Sequence, residues 1–253
     1  MWIKICGNTN LDDARHAIDA GADALGFVFA PSPRRVTCEQ VASITALLPA
    51  GVEKYGVFGD AGFDEILAIV YTAGLTGVQL HGSTDTGLPL RLRTYFAAQS
   101  RLISIVSVLH FDPNVTGGPS VTGDLSGNPV PGFEHQLTSL AQDHAVDAAL
   151  VDSRTANAAG GTGLTFNWQA AQTSFLRMAP HLRIIAAGGL RPENVAEAIH
   201  TLRPWGVDVV TGVEASPGRK DHARVTTFIR NAKEAFALQS NAARTEAPPM
   251  QTR

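Results

Sequence analysis

The sequence contains few cysteines, little net charge and no long apolar run. Its 253 residues include only two cysteines, Cys6 and Cys38, too few for the disulfide scaffold of a secreted domain. The formal net charge of −3 and a sequence pI of about 6.2 argue against nucleic acid as the main partner. No apolar stretch approaches the ~20 residues of a membrane span, and no signal-peptide pattern is present. We therefore expect a cytoplasmic protein that binds neither nucleic acid nor membrane.

Hydrophobic residues make up 44% of the chain, enough to bury one sizeable core. Eight runs are continuously apolar rather than alternating, which is typical of parallel strands buried on both faces. Helical patterns separate these runs, and the alternation predicts a single (β/α)8 barrel over residues 1–238. A doubly wound open sheet is the rival, but the first run lacks the G-x-G-x-x-G turn. The predicted strands are residues 2–6, 24–29, 54–58, 77–80, 102–108, 148–151, 183–187 and 207–210.

Two segments do not fit the repeating pattern. Residues 109–133 are rich in Gly, Pro, Ser and Thr and are predicted to form a long loop after the fifth strand. Residues 239–253 are polar and contain proline, and we predict a disordered tail there. The polar stretches at residues 9–12 and 37–40 have the capping-box pattern and predict two helix starts.

Proton-transferring side chains follow two predicted strands that are distant in the chain. Cys6 ends the first strand, and Asp152 follows the sixth. In a (β/α)8 barrel the carboxyl ends of the strands surround one active site, where a thiolate could accept a proton and a carboxylic acid could donate one. Each residue also has a structural interpretation, because a cysteine there can be a small buried hydrophobe and an aspartate can cap a helix.

Glycines follow the seventh and eighth predicted strands. Gly188 and Gly189 come after the seventh, and Gly212 and Val213 after the eighth. Backbone N–H groups at such turns often bind phosphate in barrels of this kind, although a tight turn needs glycine without any ligand. The pairing of two adjacent glycine-bearing loops favours a phosphate site.

The remaining polar residues at strand ends leave their roles open. His81 follows the fourth strand and is either structural or catalytic, and Cys38 is interpreted as structural. The eight histidines lack HxH and HExxH spacing, and His81 has no histidine partner at another predicted strand end, so we predict no metal site. Arg34 and Arg35, after the second strand, are either solvated charges or partners for a substrate carboxylate.

These motifs together resemble the phosphoribosylanthranilate isomerase family along nearly the whole chain except the long loop and the tail. No single motif is specific, but the ordered set is. The matching stretches are residues 4–7, 26–29, 32–35, 56–58, 78–82, 152, 160–163, 187–190, 212–214 and 216–218.

The resemblance implies a (β/α)8 barrel that carries out an Amadori rearrangement in tryptophan biosynthesis without a cofactor. The implied substrate is the phosphosugar N-(5-phosphoribosyl)anthranilate, and the product is 1-(2-carboxyphenylamino)-1-deoxyribulose 5-phosphate. By resemblance Asp152 is the general acid and Cys6 the general base, while Arg35 contacts the anthranilate end. His81 and Asp208 fall on motif positions and are predicted to bind substrate.

By the same resemblance, Gly188, Gly189, Gly212 and Val213 bind the phosphate. The oligomeric state is left open between a monomer and a homodimer, because small barrels occur as both. Three rival functions remain. One is a related sugar-phosphate isomerase, including a dual-substrate form of the histidine and tryptophan pathways. Such barrels use two aspartates for proton transfer, and Cys6 at the end of the first strand argues against this function. A ribulose-phosphate 3-epimerase would need metal-binding histidines. A non-catalytic phosphate-binding barrel would need neither Cys6 nor Asp152.

Overall fold

The computed structural model describes residues 2–82, 85–111, 131–152 and 168–245. Within these ranges eight parallel strands pair in sequence order and close into a barrel, which confirms the predicted (β/α)8 fold. The strands are Trp2–Ile5 (β1), Ala24–Val28 (β2), Glu53–Phe58 (β3), Gly77–Leu80 (β4), Ser104–His110 (β5), Ala148–Asp152 (β6), Arg183–Ala187 (β7) and Gly206–Val209 (β8).

Helices surround the barrel and join consecutive strands. In the described part of the chain they are Leu11–Ala20 (α1), Cys38–Thr45 (α2), Phe63–Thr72 (α3), Leu88–Ala98 (α4), Pro131–Gln142 (α5), Trp168–Met178 (α6), Val195–Leu202 (α7) and His222–Thr245 (α8). A short hairpin, Glu214–Ser216 (β9) with Arg219–Lys220 (β10), precedes α8. None of the helices in these ranges has both the length and the apolar character that crossing a bilayer requires.

Side chains alternate between the barrel interior and the helix-facing side of every strand. In β1, Ile3 and Ile5 belong to the large core between barrel and helices, whereas Trp2 belongs to a separate cluster inside the barrel. Lys4 and Cys6 share the inward side with Trp2 because they follow it at spacings of two and four. The barrel interior is therefore apolar at its amino-terminal end and becomes polar towards the mouth at the strands' carboxyl ends.

Closure of the barrel brings together residues from opposite ends of the sequence. Strand β1 pairs with β8 as well as with β2, and Lys4 lies in register with Asp208 of β8 and Ala24 of β2. The last residues of β5 and β6, His110 and Asp152, are likewise in register. These pairings assemble the polar layer at the mouth.

The predicted long loop and the predicted tail have wrong boundaries. Strand β5 continues to His110 and α5 begins at Pro131, so both ends of the predicted loop belong to regular elements. Helix α8 continues to Thr245, past the predicted start of the tail at residue 239. The amide of Gln239 donates to the Ile199 carbonyl at 2.5 Å, because the polar end of α8 still lies beside α7. Residues 112–130 and 246–253 lie outside the described ranges.

Candidate active site

Cys6 follows β1 at the mouth of the barrel and is almost completely buried. Its amide donates to the Val209 carbonyl at 2.9 Å, which extends the β1–β8 ladder by one residue. The thiol fits because Gly26 of β2 has no side chain, and a Cβ at position 26 would overlap Sγ. Cys6 is thus packed in the interior and also placed at a strand end, as the sequence predicts.

Lys4 lies one layer below Cys6, and its ammonium group is enclosed in the barrel. Its Nζ atom is 2.7 Å from Oδ1 of Asp208 and 2.9 Å from Oε1 of Gln79, and Cys6 is the next inward residue along the chain. Burial alone would lower the pKa of Lys4, but the Asp208 carboxylate and the Cys6 sulfur raise it above its ordinary value. Sequence analysis did not identify Lys4 as part of this cluster, although a lysine at an inward position of a mainly apolar strand is a detectable signal.

A second buried lysine reaches Cys6 from the hairpin after β8. The ammonium of Lys220 donates to the Cys6 carbonyl at 2.6 Å and lies 3.3 Å from Oε1 of Glu214. Burial lowers the pKa of Lys220, although Glu214 opposes that shift. Burial likewise raises the pKa of the Cys6 thiol, and the ammonium groups of Lys4 and Lys220 act against this rise. Two buried ammonium groups therefore act on the Cys6 thiol, one from β1 and one through the backbone carbonyl of Cys6.

The arginine that lies beside Cys6 is Arg34. Its Nε and Nη2 atoms donate to the Glu214 carboxylate at 2.8 and 2.7 Å, and its side chain is 14% exposed. A Cβ at Gly7 would lie 2.9 Å from Cδ of Arg34, so the arginine packs on the turn after Cys6. The Arg34 hydrogen bond, with Lys220, holds the pKa of Glu214 below its usual value despite burial, which alone would raise it.

Arg35, the arginine predicted to contact substrate, points elsewhere. Residue 35 forms an isolated bridge with Val28, whereas Arg34 lies in the turn before it. The Arg35 side chain is exposed and lines a cavity of about 390 Å³ with Phe29, Cys38 and Ile69, between α2 and α3. The structure brings Arg34, and not Arg35, to the residues around Cys6.

Asp152 ends β6 on the inward side and is 5% exposed. It lines one cleft with Asp208, Gly188, Gly189 and Thr211. The carboxyl ends of β6, β7 and β8 therefore converge, as predicted for an active site at the barrel mouth. The alternative role of Asp152 as a cap concerns the segment 153–167, which lies outside the described residues.

The loops after β7 and β8 touch where Gly212 meets Leu190. Gly188 and Gly189 adopt φ values of 80° and 65°, which favour glycine. A Cβ at Gly212 would collide with the Leu190 carbonyl, so this position requires close backbone approach. Asn194 braces the first loop, since its Nδ2 donates to the Gly189 carbonyl at 3.1 Å. Two glycine turns thus form one wall of the cleft.

His81 has a histidine partner, contrary to the sequence-based prediction. Nε2 of His81 lies 2.8 Å from Nε2 of His110, and the ring centroids are 4.8 Å apart. The prediction ended the fifth strand at Val108, whereas the strand continues and carries His110 to the mouth. In the ranges described, the group of three or more possible metal ligands is Asp12, Asp13 and His222, at the starts of α1 and α8. It does not include the histidine pair.

Within that group, the Asp13 carboxylate accepts hydrogen bonds from other parts of the protein. It accepts from the Lys220 amide at 2.9 Å and from Asn10, which caps α1 in place of the predicted start at Thr9. These interactions hold the pKa of Asp13 below its usual value against the effect of burial, which would raise it. The group therefore connects α1 to the hairpin that carries Lys220.

The second predicted helix cap, at the start of α2, is confirmed, since the Thr37 hydroxyl accepts from the Gln40 backbone amide at 3.2 Å.

Comparison with known proteins gives a consistent assignment. The sequence model described as PRAI, N-(5'phosphoribosyl)anthranilate (PRA) isomerase, matches residues 3–112 and 130–231. The unmatched internal stretch falls within the predicted long loop. An N-(5'-phosphoribosyl)anthranilate isomerase from Pelobacter propionicus is 40% identical over 233 residues, which cover 92% of this chain and 95% of the relative.

Solved structures agree. A phosphoribosyl anthranilate isomerase from Thermotoga maritima superposes with a TM-score of 0.72 at 33% identity, covering 92% of this chain and 99% of that one. A phosphoribosyl anthranilate isomerase in complex with reduced 1-(o-carboxyphenylamino)-1-deoxyribulose 5-phosphate gives a TM-score of 0.69 at 32% identity, with the same coverage. The chain therefore belongs to the N-(5'-phosphoribosyl)anthranilate isomerase family.

Proposed function

We propose that this protein isomerises N-(5-phosphoribosyl)anthranilate to 1-(2-carboxyphenylamino)-1-deoxyribulose 5-phosphate in tryptophan biosynthesis. The observation that carries the proposal is the convergence of Cys6 and Asp152 on the inward side of the barrel mouth, next to a cleft walled by glycines. An aldose-to-ketose rearrangement needs one proton donor, one proton acceptor and an anchor for the phosphate. These three functions are available at the ends of β1, β6, β7 and β8.

Asp152 acts as the general acid in this proposal. Its carboxylic acid donates a proton to the ribose ring oxygen while the bond from C1 to that oxygen breaks, and the anilino nitrogen lone pair forms a C1=N Schiff base. Cys6 then acts as the general base: its thiolate removes the C2 proton, the C2–H electrons form the C1=C2 bond, and the C=N pair returns to nitrogen. The enolamine tautomerises to the ketone, so no redox cofactor is needed.

The two ends of the substrate have different partners. The phosphate is assigned to the loops containing Gly188, Gly189, Gly212 and Val213, where backbone amides can approach an anion. The anthranilate carboxylate is assigned to Arg34 instead of Arg35, because Arg34 packs on the turn after Cys6 and its Nη1 group lies outside the hydrogen bonds that Nε and Nη2 make with Glu214.

Asp208 is given a positioning role in addition to the predicted one, whereas His81 keeps its predicted role. The Oδ1 atom of Asp208 is bound to Lys4, so Asp208 organises the base. His81 stays a proposed substrate contact, now together with His110, because their hydrogen-bonded rings lie at the ends of neighbouring strands.

The test is turnover by the purified protein. Phosphoribosylanthranilate is generated in situ, and loss of its anthranilate fluorescence is followed in the presence of a chelator and without added cofactor. The aminoaldose substrate of the histidine pathway is assayed in parallel. We expect turnover of the anthranilate substrate alone. Turnover of both would identify a dual-substrate isomerase, and turnover of neither by folded protein would favour the binding-only barrel.

The oligomeric state, a monomer or a homodimer, and the cytoplasmic location stay predictions.

A further inference from the structure

We propose that Lys4 is a positioning residue for Cys6: its buried ammonium stabilises the thiolate form of the sulfur, while Asp208 and Gln79 fix that ammonium in place. This inference rests on the proposed role of Cys6 as the general base. It assigns a function to three polar side chains inside the barrel that the acid–base pair alone does not explain.

The geometry fixes the ammonium with two partners and makes Cys6 the next inward residue along the chain. A lysine ammonium has three N–H donors. One is directed at Asp208, 2.7 Å away, and one at Gln79, 2.9 Å away. Lys4 and Cys6 are both almost completely buried, and the Lys4 side chain is 1% exposed, so inside the barrel protein groups replace the hydration of the ammonium. A fixed cation therefore occupies the layer directly below the thiol.

Packing alone does not require a charge at this place. The inward cluster below Lys4 is built mainly from apolar surface, such as the rings of Trp2 and Tyr55 and the side chain of Ile185. A buried ion pair is commonly no more stable than well-packed apolar residues of similar volume. The Lys4–Asp208 pair therefore needs a reason other than stability, and its place directly below the buried Cys6 thiol provides one.

Other charged groups also lie around Cys6 and act together with Lys4. Lys220 approaches from the hairpin after β8, and Arg34 from the loop after β2. Both are ion-paired with Glu214. Asp208 raises the pKa of the thiol, while Lys4 lowers it. When Lys4 is removed, the effect of the Asp208 carboxylate on the pKa of the thiol is therefore no longer opposed by a cation in the same layer of the barrel.

The experiment measures ionisation of Cys6 without relying on turnover. In a Cys38→Ser background, the ultraviolet absorbance of the thiolate is titrated against pH, and the Cys6→Ser trace is subtracted to remove tyrosine ionisation. The variants are Lys4→Met and Lys4→Arg. The matched control is Lys54→Met, which alters another buried lysine whose ammonium donates to the backbone carbonyls of Pro49 and Val52.

We expect Lys4→Met to move the thiolate midpoint to higher pH by roughly one to three units, as expected for loss of a neighbouring opposite charge. Lys4→Arg should retain most of the wild-type midpoint, and Lys54→Met should not move it. An unchanged midpoint in folded Lys4→Met would overturn the proposal.

A second variant gives an effect of opposite sign. Asp208→Asn removes the negative charge, so the midpoint should move to lower pH. A packing defect would not produce opposite shifts in the two variants, so shifts of the same sign would also refute the role of Lys4. This comparison, with Lys4→Arg, decides the matter if Lys4→Met does not fold. Wild-type protein without turnover would refute the proposed function while leaving these midpoints interpretable.

Discussion

Sγ of Cys6 lies against Gly26 on the neighbouring strand, so closely that a methyl group at position 26 would overlap the sulfur. The backbone of Cys6 is also near, since its Cα would be 3.1 Å from that methyl group. The sulfur therefore has no room to keep its position if position 26 gains a side chain. Gly26 defines where the proposed base is held relative to the sugar.

Gly26→Ala should lower kcat by about a hundredfold, because displacing a reacting group by about 1 Å can cost that much. The measurement is steady-state turnover, with the melting temperature recorded for each protein. Gly51→Ala is the control, since a Cβ at Gly51 meets nothing within 4 Å. Equal kcat values for Gly26→Ala and wild type would mean that the sulfur position is unimportant for the reaction.

The pH dependence of kcat/KM should show a limb that rises with pH and reflects Cys6. The base must be a thiolate, and burial raises the pKa of this thiol despite Lys4 and Lys220. At neutral pH the thiolate fraction is therefore below that of a free cysteine, whose pKa is about 8.5. Activity should increase as the pH is raised from neutral. A rate that is flat from neutral to alkaline pH, where the substrate's own ionisation is constant, would argue against Cys6 as base.

Arg34 and Arg35 form a natural pair for comparison because they are adjacent and chemically identical. Arg34→Ala should raise KM at least about tenfold, since losing a hydrogen bond to a charged group costs about 1.5–3 kcal/mol. Arg35→Ala should change KM much less, because its side chain points to the cavity between α2 and α3. The reverse ranking of the two KM values would restore Arg35 as the carboxylate contact.

Gly212→Ala should weaken phosphate binding, because its methyl group would collide with the Leu190 carbonyl and separate the two glycine-bearing loops. KM should rise, and competitive inhibition by inorganic phosphate should weaken in parallel. Gly62→Ala is the control, as a Cβ there meets nothing within 4 Å. A variant with higher KM but unchanged inhibition by phosphate would place the phosphate elsewhere.

The barrel is predictable because the strands are short, mainly apolar runs, and eight such runs alternate with helical patterns. The placement of Cys6 and Asp152 at the barrel mouth is predictable because a closed barrel directs all strand ends to one mouth. Both properties depend on local sequence and on topology, without detailed side-chain contacts.

The remaining features of the site depend on tertiary contacts. Lys4 and Asp208 are 204 positions apart and meet only because β1 pairs with β8. His110 reaches the mouth because β5 is two residues longer than its apolar pattern. The side chains of Arg34 and Arg35 leave the loop after β2 in different directions, and two identical residue types give no sign of this in the sequence.

The most direct test of the central claim compares kcat for Cys6→Ser and Asp152→Asn with kcat for Cys38→Ser, each with phosphoribosylanthranilate and each checked for an unchanged melting temperature. We predict that Cys38→Ser keeps wild-type turnover, while each of the other variants loses at least about 10²–10⁴-fold, the usual contribution of a general acid or base. Near-wild-type turnover by either folded variant would contradict the assignment of that residue to the proton transfer.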